Sequence, residues 1–157
     1  MKGEQKMKRI LSILVLVVLA FALCGAKLED GSVDLAAVLE AFELGEEMMT
    51  LDMYDLADLY YIDLEDMKQA AAAVHTSGIN CDEIILIEAV DADAAANVQY
   101  ILDARYQAKL NETENYLPDE HAIILECAVT ANGNYVAMIV APNAAELVEI
   151  YEKSFEE

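Results

Sequence analysis

Cysteine and histidine are the side chains in this sequence that offer the widest chemistry. Cys81 and Cys127 could pair as a disulfide or supply a thiol nucleophile, and His75 and His121 could bind a metal or carry a proton. A zinc site needs three or four ligands at recognisable spacing, and Asp119 and Glu120 beside His121 do not complete one. The chain also lacks a glycine-rich phosphate loop, a Cys-x-x-Cys pair, a His-Glu-x-x-His motif and a nucleophile elbow. We predict no catalytic residue, no metal site and no cofactor.

Two interpretations of Cys81 and Cys127 remain open from the sequence. Export to an oxidising surface would permit a disulfide between them. Alternatively, Cys127 alternates with apolar residues and behaves as a small buried hydrophobe, while Cys81 lies in a turn before a strand. A reactive thiolate is disfavoured, because the strongly negative field of the chain raises a thiol pKa.

Acidic residues are the main compositional signal, and six of them fall within one short block. These are Asp52, Asp55, Asp58, Asp63, Glu65 and Asp66. Apolar residues separate them, which is the pattern of a helix with one solvated face. Weak calcium binding is the alternative, since carboxylates are calcium ligands, but no Asp-x-Asp-x-Asp-Gly loop is present to organise the ion. The block is therefore interpreted as solvated surface.

The overall charge excludes one class of partner. The 157 residues include 9 basic and 30 acidic side chains, for a formal charge of −21 and an isoelectric point near 4.1. Nucleic-acid binding normally requires a basic surface, so we predict no nucleic-acid partner. The length and the 57% apolar content fit one domain with one core.

The N-terminal segment has the pattern of an export signal. Basic residues precede an apolar run, Ile10 to Leu23, and the small residues Gly25 and Ala26 follow it. Fourteen helical residues span about 21 Å, less than the ~30 Å hydrocarbon core, so a permanent transmembrane helix is disfavoured. We predict a signal over residues 1–26 and one acidic domain over residues 27–157. Since the chain carries −21 and residues 1–26 carry +3, the exported domain carries −24.

Cys24 is a candidate for lipidation, because it directly follows the apolar run and precedes Gly25, as the acylated cysteine of a bacterial lipoprotein does. Leu23 departs from the small residue that usually comes before such a cysteine. Ordinary secretory cleavage near Ala22 or Ala26 is the alternative. In both cases the predicted location is extracytoplasmic, either anchored to the cell membrane or secreted.

Hydrophobic periodicity predicts an α+β domain in the element order α-α-β-β-α-β-β-α. Helices are expected over 33–42, after Thr50, over 93–109 and over 144–155. Ser32 or Asp34 is expected to cap the first of these helices, and Asn143 and Glu146 are expected to form a capping box at the last. Strands are expected over 68–75, 83–90, 122–129 and 135–141, with residues 111–121 as a connection. Asn132 and Gly133 predict a tight hairpin turn of type I′. The expected architecture is a two-layer sandwich, with helices on one face of an antiparallel sheet of about four strands.

Several short motifs resemble one bacterial family in their order and spacing. They are Tyr61-Ile62-Asp63, Asp82-Glu83-Ile84, Tyr116-x-Pro118 and Gly133-Asn134-Tyr135. Together they are similar to domain-of-unknown-function family 4358, small exported or lipid-anchored proteins of Gram-positive bacteria. The resemblance covers residues 33 to 155 and implies export and a small α+β domain, with no catalytic residue and no substrate. A glycine is expected where Tyr61 stands.

Two classes of function fit these observations. The first is a non-enzymatic binding module at the cell surface, with an extracytoplasmic protein or a small ligand as partner and contact with the membrane only through the N-terminal segment or a lipid. The second is a hydrolytic or cation-dependent enzyme that uses the carboxylates. A cleft with two carboxylates of opposed pKa shifts would favour the enzyme.

The acidic surface predicts a specific response to salt. Because −24 charges repel one another in the folded state, added salt should raise the melting temperature by screening. NaCl and CaCl₂ at matched ionic strength should stabilise the protein equally in a thermal melt. A calcium-specific increase that saturates below millimolar concentration would contradict the solvated-surface interpretation and indicate a bound ion.

Overall fold

The computed structural model describes Leu28 and residues 31–156, and within them the chain forms five helices and five strands. The helices are α1 (Leu35–Ala41), α2 (Met53–Tyr60), α3 (Ala92–Thr113), α4 (Pro118–Leu125) and α5 (Ala144–Lys153). The strands are β1 (Met48–Leu51), β2 (Met67–His75), β3 (Glu83–Ala89), β4 (Ala128–Asn132) and β5 (Tyr135–Val140). A single 3₁₀ turn, Leu64–Asp66, leads into β2.

The strands form one antiparallel sheet in the order β1-β2-β3-β5-β4. The α+β class and the antiparallel sheet are confirmed. The sheet has five strands instead of about four, because the four residues of β1 form an edge strand that the sequence pattern did not indicate. All seven residues of the central strand β3 are buried, including its two acids, Glu83 and Glu88.

Helices cover both faces of the sheet, which adds a layer to the two that the sequence predicts. Consecutive β3 residues point to opposite faces. Glu83 contacts α3 on one face, whereas Glu88 contacts Gln69, which in turn bonds to the start of α1 on the other face. Helices α2, α3 and α4 lie on the Glu83 face, and α1 and α5 lie on the Glu88 face. Because helices bury both faces of β3, the residues between its two acids are all apolar.

The prediction of a strand over residues 122–129 is wrong for most of that segment. Residues 118–125 form α4, and β4 begins only at Ala128. Pro118 stands at the start of this helix, and Asp119 and Glu120 occupy its first turn, which are helix-start signals. The predicted connection over 111–121 is also partly helical, because α3 continues to Thr113. A short apolar run fits both a strand and a buried helix, so periodicity alone did not separate them.

Acidic side chains cap more of the helices than the sequence pattern predicts. Asp34 caps α1, as one of two predicted residues. Asp52, not Thr50, caps α2 and shares a capping box with Asp55. At α5 the predicted capping box does not form, since Asn143 bonds to the Glu146 side chain instead of a backbone amide. Part of the acidic block is therefore used in capping.

The hairpin between β4 and β5 turns one residue later than predicted. Asn132 pairs with Tyr135, so the two turn residues are Gly133 and Asn134. Gly133 has a φ of 59°, while Asn134 is not among the non-glycine residues with positive φ. A type I′ turn needs positive φ at both positions, so this is not the predicted type.

Among the described residues, no helix combines the length and the apolar character needed to cross a membrane.

Two left-handed backbone positions give opposite predictions for stability. Tyr61 ends α2 with a φ of 59° and is 87% exposed, so Tyr61→Gly removes strain and few contacts. We expect a gain of about 0.5–1 kcal/mol, since the left-handed conformation costs a non-glycine residue about 1–2 kcal/mol and added glycine entropy offsets part of that. Gly133→Val should destabilise the domain, because a β-branched residue resists positive φ. Urea unfolding measures both changes, and a gain from both variants would contradict the strain argument.

Candidate functional site

The site is built around Glu83, the first residue of the central strand. Its side chain is 4% exposed and points toward α3. Arg105, Lys109 and Thr113 follow one another at four-residue spacing on α3, which places them on one side of the helix. Lys109 and Thr113 are themselves buried. A buried carboxylate thus faces two cations from one helix.

The geometry of this ion cluster is close and bidentate. Arg105 donates from Nε to Glu83 Oε1 at 3.0 Å and from Nη2 to Oε2 at 2.8 Å. Lys109 Nζ lies 2.7 Å from the same Oε2. The Tyr60 hydroxyl also faces this carboxylate, and burial together with Glu83 raises the pKa of Tyr60. Arg105, Lys109 and Glu83 together carry one net positive charge.

Burial and the two cations act in opposite directions on Glu83. Burial alone raises the pKa of a carboxyl, whereas hydrogen bonds and charge from Arg105 and Lys109 lower it. The cations outweigh burial, so the pKa of Glu83 lies below its ordinary value and the group stays ionised.

The loop between β2 and β3, residues 76–82, forms the opposite wall of the site. The Ser77 amide donates to His75 Nδ1 at 2.9 Å, and the Asp82 amide donates to Asn80 Oδ1 at 2.7 Å. The Cys81 amide donates to Glu120 Oε2 on α4 at 2.8 Å. The last of these bonds ties the loop to α4, and the other two are local to it.

Asp82 is the acidic residue of this loop. Burial raises its pKa, and the nearby Glu120 carboxylate raises it further. Its Oδ1 is closed off from solvent and accepts no hydrogen bond from any described residue. Asp82 and Glu83, which are adjacent in sequence, therefore have opposed pKa shifts.

A polar cleft of about 310 Å³ opens between the loop and α3. Its lining comprises Tyr60, Val74, His75, Ser77, Gly78, Asn80, Cys81, Asp82, Glu83, Arg105, Lys109, Glu112 and Thr113. The chain has only four basic residues in its described part, Lys68, Arg105, Lys109 and Lys153. Two of the four lie in this cleft, together with the acids Asp82, Glu83 and Glu112.

Of the predicted reactive residues, His75 and Cys81 line the cleft, whereas His121 and Cys127 do not. Cys81 and Cys127 are both free thiols, and burial raises the pKa of each. His75 contacts Glu47, with 3.1 Å between Nε2 and Oε2, whereas His121 Nδ1 lies 3.1 Å from Thr113 Oγ1. No group of three histidine, cysteine or acidic side chains in the described part of the chain is placed to hold a metal ion. Cys24 and the predicted signal lie outside the described residues.

The sequence pattern alone did not point to the residues that form the ion cluster. The helix predicted over 93–109 places Arg105 and Lys109 near its C-terminal end, where basic residues are common. The helix continues to Thr113, so both bases lie inside it and reach across to β3. The available signal was the Glu directly before the apolar run 84–87, since a buried acid requires a partner.

Fold and cleft together define a small acidic α+β domain with one mixed-charge cleft at an end of its sheet. Residues 40–141 match the family described as domain of unknown function (DUF4358), and the chain belongs to this family. A search of curated proteins and a search of solved structures found no match.

The ion cluster predicts a large effect of removing one charge. Glu83→Gln leaves Arg105 and Lys109 without their counter-charge, and breaking a buried pair costs about 3–5 kcal/mol. Because the folded-state pKa of Glu83 is lowered, its contribution is present above the ordinary value of 4.5 and is lost as the pH falls through the folded-state pKa. Urea unfolding should therefore show a large loss at pH 7 and a smaller one at pH 3.

Glu149→Gln is the matched control for that measurement. Glu149 pairs with Lys153 at 2.6 Å on the exposed side of α5. Loss of an exposed pair should change the unfolding free energy little. Equal effects of Glu83→Gln and Glu149→Gln at pH 7 would contradict a stabilising role for the buried cluster.

Proposed function

We propose that the protein is an exported cell-surface module, held at the membrane by its N-terminal segment or by a lipid on Cys24, that binds a small ligand without transforming it. The ligand site is the cleft between the 76–82 loop and α3. The observation that carries this proposal is the position of the cleft relative to the point where the chain enters the fold.

The chain enters the fold at the end of the sheet away from the cleft. The Val33 amide donates to the Tyr135 hydroxyl, and the Val33 carbonyl accepts from Gln69 Nε2 at 2.7 Å. Tyr135 and Gln69 both pair with Glu88, five residues along β3 from Glu83. At about 3.4 Å per residue this separates the entry point from the cleft by about 17 Å. A domain anchored through residues before Val33 therefore presents its cleft away from the anchor.

The chemistry of the cleft favours binding over catalysis. Burial raises the pKa of the Cys81 thiol, which leaves it protonated and a poor nucleophile. The Glu83 carboxylate accepts hydrogen bonds from two cations. Its oxygens are therefore engaged and are poorly placed to take a proton from a substrate. These groups hold charge in fixed positions, which is what recognition of a charged ligand requires.

A carboxylate-based enzyme is the second candidate, and one observation favours it. Asp82 and Glu83 have opposed pKa shifts in one cleft, an arrangement typical of acid and base pairs. Ester, glycoside and phosphate-ester chromogenic substrates offered to the full-length protein would test it. Turnover that Asp82→Asn abolishes would establish the enzyme and contradict the binding module.

Export and anchoring are tested by cell fractionation with intact-mass analysis in a Gram-positive host. We expect a membrane-associated form that begins at Cys24 and carries the mass of an acyl group. Cys24→Ala should release the protein into the medium, while the matched variant Cys81→Ala should remain anchored.

Two results of this experiment would change the proposal. Membrane association that survives Cys24→Ala would show that the apolar segment is itself the anchor. A cytoplasmic protein that retains residues 1–23 would contradict export altogether.

A further inference from the structure

The cleft holds cationic donors on one wall and an acid with an unpartnered oxygen on the other. Arg105 and Lys109 lie on the α3 wall, where both pair with Glu83 and Arg105 also interacts with Glu112. Asp82 lies on the loop wall without a hydrogen-bond partner at Oδ1. The distribution suits a ligand that carries both signs of charge.

The positive wall retains donors for a ligand carboxylate. The bidentate contact with Glu83 uses Nε and Nη2 of Arg105, and a guanidinium has five N–H donors. The Arg105 side chain is 34% exposed and lines the cleft. Its Nη1 group has no acceptor among the described residues. A planar guanidinium held in place by Glu83 is well suited to bind a second carboxylate.

The negative wall lacks a cation. Asp82 lies beside Glu120, whose Oε2 already accepts from the Cys81 amide. No basic group forms a salt bridge with Asp82 within the described ranges, although His75 and Lys109 lie close enough to lower its pKa. The energy well for rotation about the last side-chain bond of an aspartate is broad. Either carboxylate oxygen of Asp82 can therefore face the cleft. An ammonium group would supply both the missing hydrogen bond and the missing charge.

We propose that the ligand is a free α-amino acid, with its carboxylate on Arg105 and its ammonium group on Asp82. This inference rests on the proposed binding function and names its ligand class. A volume of about 310 Å³ is at the lower limit of small-molecule sites, which fits a ligand of this size. The lining combines polar side chains with Val74, Cys81 and the Tyr60 ring, so a ligand with a short side chain is preferred.

The charge of the whole domain favours a zwitterion over a simple ion. A domain with a charge near −24 repels anions at long range, so a carboxylate alone approaches against the field. A cation alone is attracted to the surface but meets Arg105 and Lys109 in the cleft. A zwitterion has no net charge, so the long-range field does not exclude it, and each end meets its complement.

Three related probes, L-alanine and its two fragments, separate the two recognition elements. L-Alanine carries both groups, propionate only the carboxylate and ethylamine only the ammonium. Titration calorimetry on the full-length protein in detergent micelles should show saturable binding of L-alanine. Propionate and ethylamine should each bind at least tenfold more weakly, about 1.4 kcal/mol. Equal affinity for L-alanine and propionate, or no saturable binding of L-alanine, would overturn the proposal.

Two variants assign the ends of the ligand. Asp82→Asn should abolish the preference for L-alanine over propionate, and this variant should fold, since it removes a carboxylate whose ionised form is disfavoured. Arg105→Lys should abolish the preference for L-alanine over ethylamine, because lysine lacks the planar guanidinium that binds a carboxylate through two N–H groups. Lys153→Gln, which breaks an exposed pair on α5, should leave all affinities unchanged. L-Alanine binding that survives both cleft variants would place the ligand elsewhere and overturn the assignment.

The outcomes distinguish this inference from the function on which it rests. Binding of propionate without selectivity for L-alanine refutes the zwitterion and leaves an anion-binding surface module. Cytoplasmic retention in the fractionation experiment refutes the surface module, whatever the calorimetry shows.

Discussion

The fold depends on placing two carboxylates in a strand that is buried on both faces. Glu83 and Glu88 are 3% and 6% exposed, and an ionised carboxylate without a partner is too costly to bury. Because the two acids lie on opposite faces of β3, each face must supply its own donors. Arg105 and Lys109 of α3 serve Glu83, whereas Lys68 and Gln69 of β2 serve Glu88. The helical layers on both sides of the sheet are connected to the central strand through these contacts.

The same requirement explains the distribution of charge. Three of the four basic residues in the described part of the chain contact a buried acid, and the fourth forms an exposed pair on α5. Almost no cations remain to balance the acids at the surface. The acids of the block from Asp52 to Asp66 are exposed or partly exposed, and some of them cap α2 and the 3₁₀ turn.

Elements with a single strong period were predictable from the sequence. Helix α3 and strand β3 lie close to their predicted bounds, because long periodic or continuous apolar patterns exclude alternatives. The helix before Cys127 was not predictable from the sequence, because four consecutive apolar residues fit a strand as well as a helix. The family resemblance implies a glycine where Tyr61 stands, and Tyr61 has a left-handed backbone in the structure. The ion cluster was missed, because it joins residues 22 positions apart that no local pattern relates.

The attachment of Val33 has a mechanical consequence. A pull on the N-terminal segment is applied first at Val33, whose amide and carbonyl are bonded to Tyr135 and Gln69. Tyr135 also stacks edge-on against Phe155, with ring centroids 4.9 Å apart, so the last turn of the chain shares that load. The force enters and is resisted at one end of the sheet. The opposite end, where the loop and α3 face each other, is shielded from tension by the hydrogen-bonded length of β3.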